Sequence, residues 1–131
     1  MEDRIQSIHR FIKEGKLNPS SNIQFGEGGA GTFSDGKLTS RSKDKRSREI
    51  FKIFVENGAP EEILYDQMPH IGTDILRQVI KNIRHKIEDQ GGHYHFKEKF
   101  IDLDIQDGKI QRLLTEKDSY QADHYILALG N

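Results

Sequence analysis

The sequence predicts a mixed α/β fold, in which a helical and loop-rich part precedes a small antiparallel β-meander and a final parallel strand. Three observations carry this reading. Ile75, Leu76, Val79, Ile80, Ile83 and Ile87 recur at helical spacing, which marks one long amphipathic helix over 73–90. From His93 the period changes to alternation, and Asp107-Gly108 separates two alternating runs as a two-residue hairpin turn. The chain then reaches ILALG, a nearly continuous apolar run of the kind buried on both faces of a parallel sheet.

The elements follow in order. Ile5, Ile8, Phe11 and Ile12 form the stripe of a short amphipathic helix that Gly15 can end. Residues 16–42 show no sustained periodicity, and an irregular segment of this length in a compact domain is usually functional or mobile. A charged stretch, Arg41 to Arg48, then leads into a helix carrying Ile50, Ile53 and Phe54 before Gly58. That stretch reads as a solvated helix face, with a phosphate patch as the alternative. Thr73 is placed to cap the long helix, with Asp74 favourable at its N-terminal dipole. A strand is expected over 93–97 and the closing one over 125–130. The division expected is 1–72, a helical and glycine-loop segment, and 73–131, the part with the long helix, meander and closing strand.

Composition narrows the function. Twenty Lys and Arg stand against 21 Asp and Glu, so no global charge draws the chain to nucleic acid or an anionic membrane. The partner expected is a small-molecule substrate or another protein. A mean hydropathy of -0.76 and the absence of an apolar run of spanning length or a signal-peptide pattern make the cytoplasm the expected location. With no cysteine, thiol redox chemistry and thiolate metal sites are excluded. His93 and His95 alternate onto one strand face, but no third ligand is spaced with them, so no metal is expected.

The densest signal is residues 26–37, GEGGAGTFSDGK, which hold five of the twelve glycines. Gly26, Gly28 and Gly31 match the dinucleotide pattern G-x-G-x-x-G, yet TFSDGKLTSR follows where a helix should begin. The Walker pattern fails too, because Thr32 stands where the phosphate-binding lysine belongs and Lys37 comes too late. What remains is a backbone able to adopt positive φ and to approach an anion or a flat ring closely, against the alternative of a plain flexible loop.

The residues NIQFGEGGAGTFSDGKL, with NGAPEEILY, PHIGTDIL and ILALGN, resemble the poorly characterised FAD-dependent (NAD-utilising) dehydrogenases of the glutathione-reductase-like flavoproteins. The resemblance covers nearly the whole chain, in the family's order. It implies an internal piece of a longer flavoprotein, because the family's own FAD fingerprint lies upstream of the position matching Met1. It also departs at Asn131, where the family more often has histidine. By the same resemblance the chain is part of a Rossmann-like FAD-binding domain that transfers hydride or electrons through FAD, with NAD(P) as electron donor or acceptor. Cofactor contact is then expected from Gly26, Gly28, Gly29, Ala30, Gly31, Thr32 and Ser34 of the loop. Lys99 or Phe100 would lie beside the adenine, and Leu129 and Gly130 at the strand end near the cofactor.

Within that reading Lys37 would stabilise negative charge on reduced flavin, Asp35 would orient a substrate or hydroxyl, and His70 would serve a proton relay. The bland counterparts are an Asp-Gly turn, a solvated lysine and a loop histidine bonded to backbone. Without the upstream fingerprint the chain alone is expected to be inactive and to bind FAD weakly or not at all. Exposed edges of such a piece favour self-association. The competing reading is a stand-alone, non-catalytic module that binds a small molecule or a protein.

Overall fold

The structure, a computed structural model, describes residues 1–21, 23–38, 44 and 46–129. It is a mixed α+β protein with two compact units, Met1–Gly91 and Gly92–Asn131. The long helix therefore belongs with the glycine loop, whereas the sequence reading divided the chain at 72/73.

The first unit holds three α-helices among the described residues: α1 (Glu2–Glu14), α2 (Ser47–Glu56) and α3 (Thr73–Asp89). Each helix boundary has a local cause. Gly15 ends α1 in the left-handed conformation, φ 68°, and its N–H donates to the Phe11 carbonyl at 2.8 Å. At the end of α2, Asn57 folds its Nδ2 back onto the Ile53 carbonyl at 2.7 Å, and its own carbonyl accepts from Asn82 Nδ2 of α3 at 2.8 Å. That pair of amides ties the end of α2 to the middle of α3.

The core is small and aliphatic. Ala59, Ile63, Ile71, Leu76 and Val79 are buried, and Leu38, Phe51, Phe54, Val55, Ile80 and Ile83 close around them. Val79 is fully buried and Ile63, on a short 3-10 helix Glu61–Leu64, is 1% exposed. Here α3 covers the middle of the stripe that its period predicts, Leu76, Val79, Ile80 and Ile83, while Ile75 and Ile87 at its ends are exposed. The stripe of α1 is covered only in part: Ile5 and Ile8 are half-buried, while Phe11 and Ile12 face solvent.

Thr73 does not cap α3. The N-cap is Gly72 at φ 68°, and the Thr73 hydroxyl donates instead to the Ser34 carbonyl. The helix entry is thereby fastened to the glycine loop.

The second unit is a three-stranded antiparallel meander, order β1-β2-β3, built from β1 (Phe100–Gln106), β2 (Lys109–Thr115) and β3 (Ser119–Tyr120). Asp107 and Gly108 both take positive φ, 50° and 73°, between Gln106 and Lys109, which are paired. This is the mirror-image turn that the strand twist favours. The turn into β3 closes on Thr115, whose N–H donates to the Asp118 carbonyl at 2.9 Å.

Two expected strands do not form. Residues 93–97 run without pairing into a turn at Lys97, φ 56°, with Tyr94 and Phe96 stacked 5.6 Å apart. Residues 125–129 are likewise unpaired, and Ile126 is 90% exposed. An apolar run becomes a buried strand only when neighbouring strands satisfy its backbone and layers cover both faces. None does so among the described residues, so the final parallel strand of the sequence reading is absent. Gly130 lies outside the described residues, as does half of the basic stretch from Arg41 to Arg48.

Candidate functional site

The glycine-rich segment is an ordered turn laid on α3. Positive φ angles at Gly26, Gly28 and Gly29 turn the chain into one 3-10 helix, Ala30–Phe33. That short helix is the only helical element after the glycine pattern before α2, among the described residues. The Thr32 side chain, with no exposure, sends its hydroxyl to the Gly29 carbonyl at 2.9 Å, and the Thr32 carbonyl accepts from Arg77 Nε of α3 at 2.8 Å. A Cβ on Gly28 would stand 2.4 Å from the Thr32 methyl, and one on Gly31 would stand 3.0 Å from Leu76. Gly28, at φ 80°, is therefore demanded by the protein's own packing, and Gly31 packs closely against the end of the Leu76 side chain. Gly29 differs: its nearest neighbour would be the Gln24 carbonyl at 4.0 Å, so its outer side is open.

The turn is organised by a residue that no sequence pattern singles out. Arg4 of α1 donates from Nη1 to the Glu27 carbonyl at 2.8 Å, and from Nη2 to the Ile23 and Gly29 carbonyls at 3.2 and 3.4 Å. Its guanidinium also lies 4.6 Å from the Phe33 ring centroid, with Arg77 at 5.5 Å from the same centroid. Burial pushes Arg4 below its ordinary value, and the Glu27 carboxylate opposes that. Below the turn, Glu27 meets Arg84 at 3.1 Å and the Met1 amine at 2.9 Å, while Glu2 meets Arg84 at 3.1 Å and Lys81 at 3.3 Å.

This network has a pH signature. The hydrogen bond from Arg84, foremost, holds the Glu2 carboxyl at about 2, against 4.5 for an ordinary glutamate. A folded value below the unfolded one contributes stability above the unfolded value that is lost on acidification. The urea midpoint of the first unit is therefore expected to fall between pH 4.5 and about 2, and Glu2→Gln should flatten that part of the profile. An unchanged slope in the variant would remove Glu2 from the account.

Beyond the turn, the chain crosses the segment that enters α3. Ile71 N–H donates to the Gly36 carbonyl at 3.1 Å and Leu38 N–H to the Pro69 carbonyl at 2.8 Å. Between these bonds Lys37 and His70 stand directly opposite as an antiparallel bridge. In this non-hydrogen-bonded type of pair the Cα atoms approach to about 4.5 Å and the side chains share a face. Asp35 joins them, its Oδ2 lying 3.1 Å from Lys37 Nζ. The hydrogen bond from Lys37 lowers the Asp35 carboxyl below its ordinary value, so Asp35 is an anion at neutral pH and not an acid.

Asp35, Lys37 and His70 are thus brought together on the exposed edge of the first unit, a few residues beyond the glycine turn with its Ser34. Lys99 and Phe100 are not brought to any such site within their own unit. Lys99 uses its carbonyl to accept from Glu116 N–H at 3.0 Å, and Phe100 pairs with Thr115 at the start of β1. Leu129 is exposed and belongs to no element. The residues that sequence reasoning missed are Arg4, Arg77 and Gly72. Gly36 and Gly72 approach closely, a Cβ on Gly36 standing 2.9 Å from the Gly72 backbone, and no local pattern pairs them.

No helix among the described residues is long and apolar enough to cross a membrane. No protein-family model matches the chain. An uncharacterized protein of Clostridium beijerinckii is 41% identical over all 131 residues, and the chain spans 25% of that curated relative's length.

Proposed function

We propose that this chain is the second cofactor contact of an FAD-dependent oxidoreductase, part of a Rossmann-like FAD-binding domain whose main nucleotide cradle lies elsewhere in a longer protein. The observation that carries the reading is the continuity of the site. A glycine turn with one open side, at Gly29 and Ala30, runs within eight residues into Asp35 and Lys37, with His70 opposite. The relative in Clostridium beijerinckii, of which this chain spans a quarter, leaves room for that cradle.

The residues fit the cofactor in part. Gly26, Gly28 and Gly31 serve the turn's own packing and its hold on Arg4, and the Gly29 N–H and carbonyl are bonded within the turn, so Gly29 offers only an open surface and the polar contact falls to the Ala30 backbone and to Ser34. FAD, when bound, supplies the hydride or electron chemistry, with NAD(P) as its donor or acceptor. The Lys37 ammonium offers positive charge to an electron-rich neighbour, and Asp35 fixes its position. His70, facing Lys37 across the bridge, is the group available to hold or pass a proton.

Expressing the full-length Clostridium beijerinckii relative tests this. A yellow protein with flavin absorbance near one cofactor per chain is expected; a colourless protein that takes up no added FAD overturns it. One observation favours a second reading, a non-catalytic binding module: Arg4 already satisfies three carbonyls of the turn, so the loop is ordered without any cofactor. The colourless outcome would select that module. Self-association is proposed through the apolar residues Ile126, Leu127 and Leu129, which are exposed in the second unit. Light scattering should show mass rising with concentration, and a constant monomer mass would count against it.

A further inference from the structure

A cluster in the second unit lies outside the glycine-loop site and its flavin reading. Glu98, whose side chain is 7% exposed, accepts hydrogen bonds on one oxygen from the Thr115 hydroxyl at 2.6 Å and the Tyr120 hydroxyl at 2.8 Å. The Tyr120 oxygen also lies 3.0 Å from His95 Nδ1, and the second Glu98 oxygen lies 3.6 Å from the same nitrogen. The imidazole leans over the phenol ring with centroids 4.7 Å apart. Its side chain is half exposed, and among the described residues no hydrogen bond is made by Nε2.

Counting protons settles the directions. A phenol has one proton, and a carboxylate has none. If Tyr120 gave its proton to His95, its oxygen would face Glu98 at 2.8 Å lone pair to lone pair, a clash that an ionised Glu98 cannot relieve. The Tyr120 proton must therefore lie toward Glu98. A bare Nδ1 would then face the Tyr120 oxygen and the Glu98 carboxylate with no proton in between. The contact is favourable only if Nδ1 carries the hydrogen. The Thr115 hydroxyl accepts from the Asp118 N–H at 2.9 Å, and its one proton has two acceptors, Glu98 at 2.6 Å and the Asp118 carbonyl at 2.9 Å, of which the charged and nearer carboxylate is the stronger. Held by Thr115 first and Tyr120 second, Glu98 stays ionised, with its carboxyl below the ordinary value, and the same bond pushes the Tyr120 phenol up to about 12.

We infer that Glu98 and Tyr120 fix His95 as the Nδ1–H tautomer and present its Nε2 lone pair outward as an oriented proton-accepting site. The ligand it takes is a proton donor such as an alcohol or a protonated amine, which a base aimed by a hydrogen bond on its other nitrogen is built to receive. Tyr120 and Glu98 are positioning residues here. Lys117 and Asp118 are the charged neighbours that act on them.

Long-range 1H–15N correlation spectra of the full chain at about pH 8, above the ordinary histidine range, read the tautomer directly. Nε2, which couples to both ring protons, should carry the unprotonated 15N shift, and on acidification it should be the nitrogen whose shift moves. An unprotonated Nδ1 in the wild-type chain overturns the inference. In Tyr120→Phe, with β1 and β2 amide signals preserved, the Nε2–H form should appear. A variant spectrum still purely Nδ1–H would contradict the positioning by Tyr120. Should the variant lose the meander, the wild-type spectrum decides alone.

Discussion

Replacing Gly36 with alanine is expected to destabilise the first unit by about 2–4 kcal/mol, the sum of a left-handed backbone penalty and a steric clash in a packed crossing. Gly36 sits at φ 72°, and an added Cβ would stand 2.9 Å from the backbone N, C and O of Gly72. Backbone cannot swing aside as a side-chain end can, so relief would require parting residues 36–38 from 69–71. That would separate Lys37 from His70 and loosen the entry to α3. Gly15→Ala is the matched control. Gly15 has a similar φ of 68° with nothing within 4 Å, so only the conformational penalty of about 1 kcal/mol should appear. Urea titrations followed by the helical circular dichroism signal report on this unit, because α1, α2 and α3 all lie within it. Equal losses in the two variants would mean that the crossing is not tight.

Ile63→Ala is expected to cost about 3 kcal/mol, from lost transfer free energy and the cavity left in a site that cannot collapse. Ile63 is 1% exposed, and among the described residues it is one of five in the buried cluster. Stability of a small domain is a few kcal/mol, so this single truncation should leave the unit close to its unfolding threshold. Ile63→Val removes one methylene group and should lose about 1 kcal/mol, giving a graded series in the same titration. A loss below that of the valine variant would contradict the assignment of Ile63 to the centre of the core.

What the sequence made legible was what local pattern determines. The stripe from Ile75 to Ile83 needs only the helical period, Gly15 needs only a left-handed terminus, and Asp107-Gly108 needs only a two-residue turn. Each forms as read. The failures are elements that depend on a neighbour. The run ending in Leu129 is apolar enough for a buried strand, but no described strand lies beside it, and Ile126 is left in solvent. Residues 93–97 alternate, yet their side chains serve a turn and a hydrogen-bonded cluster instead of a ladder. Thr73 has the chemistry of a cap, but the Ser34 carbonyl claims its hydroxyl.

The candidate site shows the same division. The glycine density at Gly26, Gly28, Gly29 and Gly31 announces an unusual backbone, but not which glycines serve internal packing and which leave a surface open. That distinction depends on Thr32 and Leu76, which fill the space where a Cβ on Gly28 or Gly31 would stand and leave that space open at Gly29. Nor does any local pattern place His70 opposite Lys37, or Arg4 inside the turn, because both contacts join distant parts of the chain.

The glycine turn and the Asp35–Lys37–His70 edge as a flavin contact can be tested on this chain directly, by amide chemical-shift mapping with FAD. A contact lacking the main cradle should bind with a dissociation constant of about 1 mM, worth about 4 kcal/mol, and in fast exchange. The account predicts that the signals of Gly29, Ala30, Ser34, Asp35, Lys37 and His70 move together with added FAD while those of β1 and β2 stay in place. Signals of the turn that remain unmoved at millimolar FAD, or shifts confined to the meander, would contradict it.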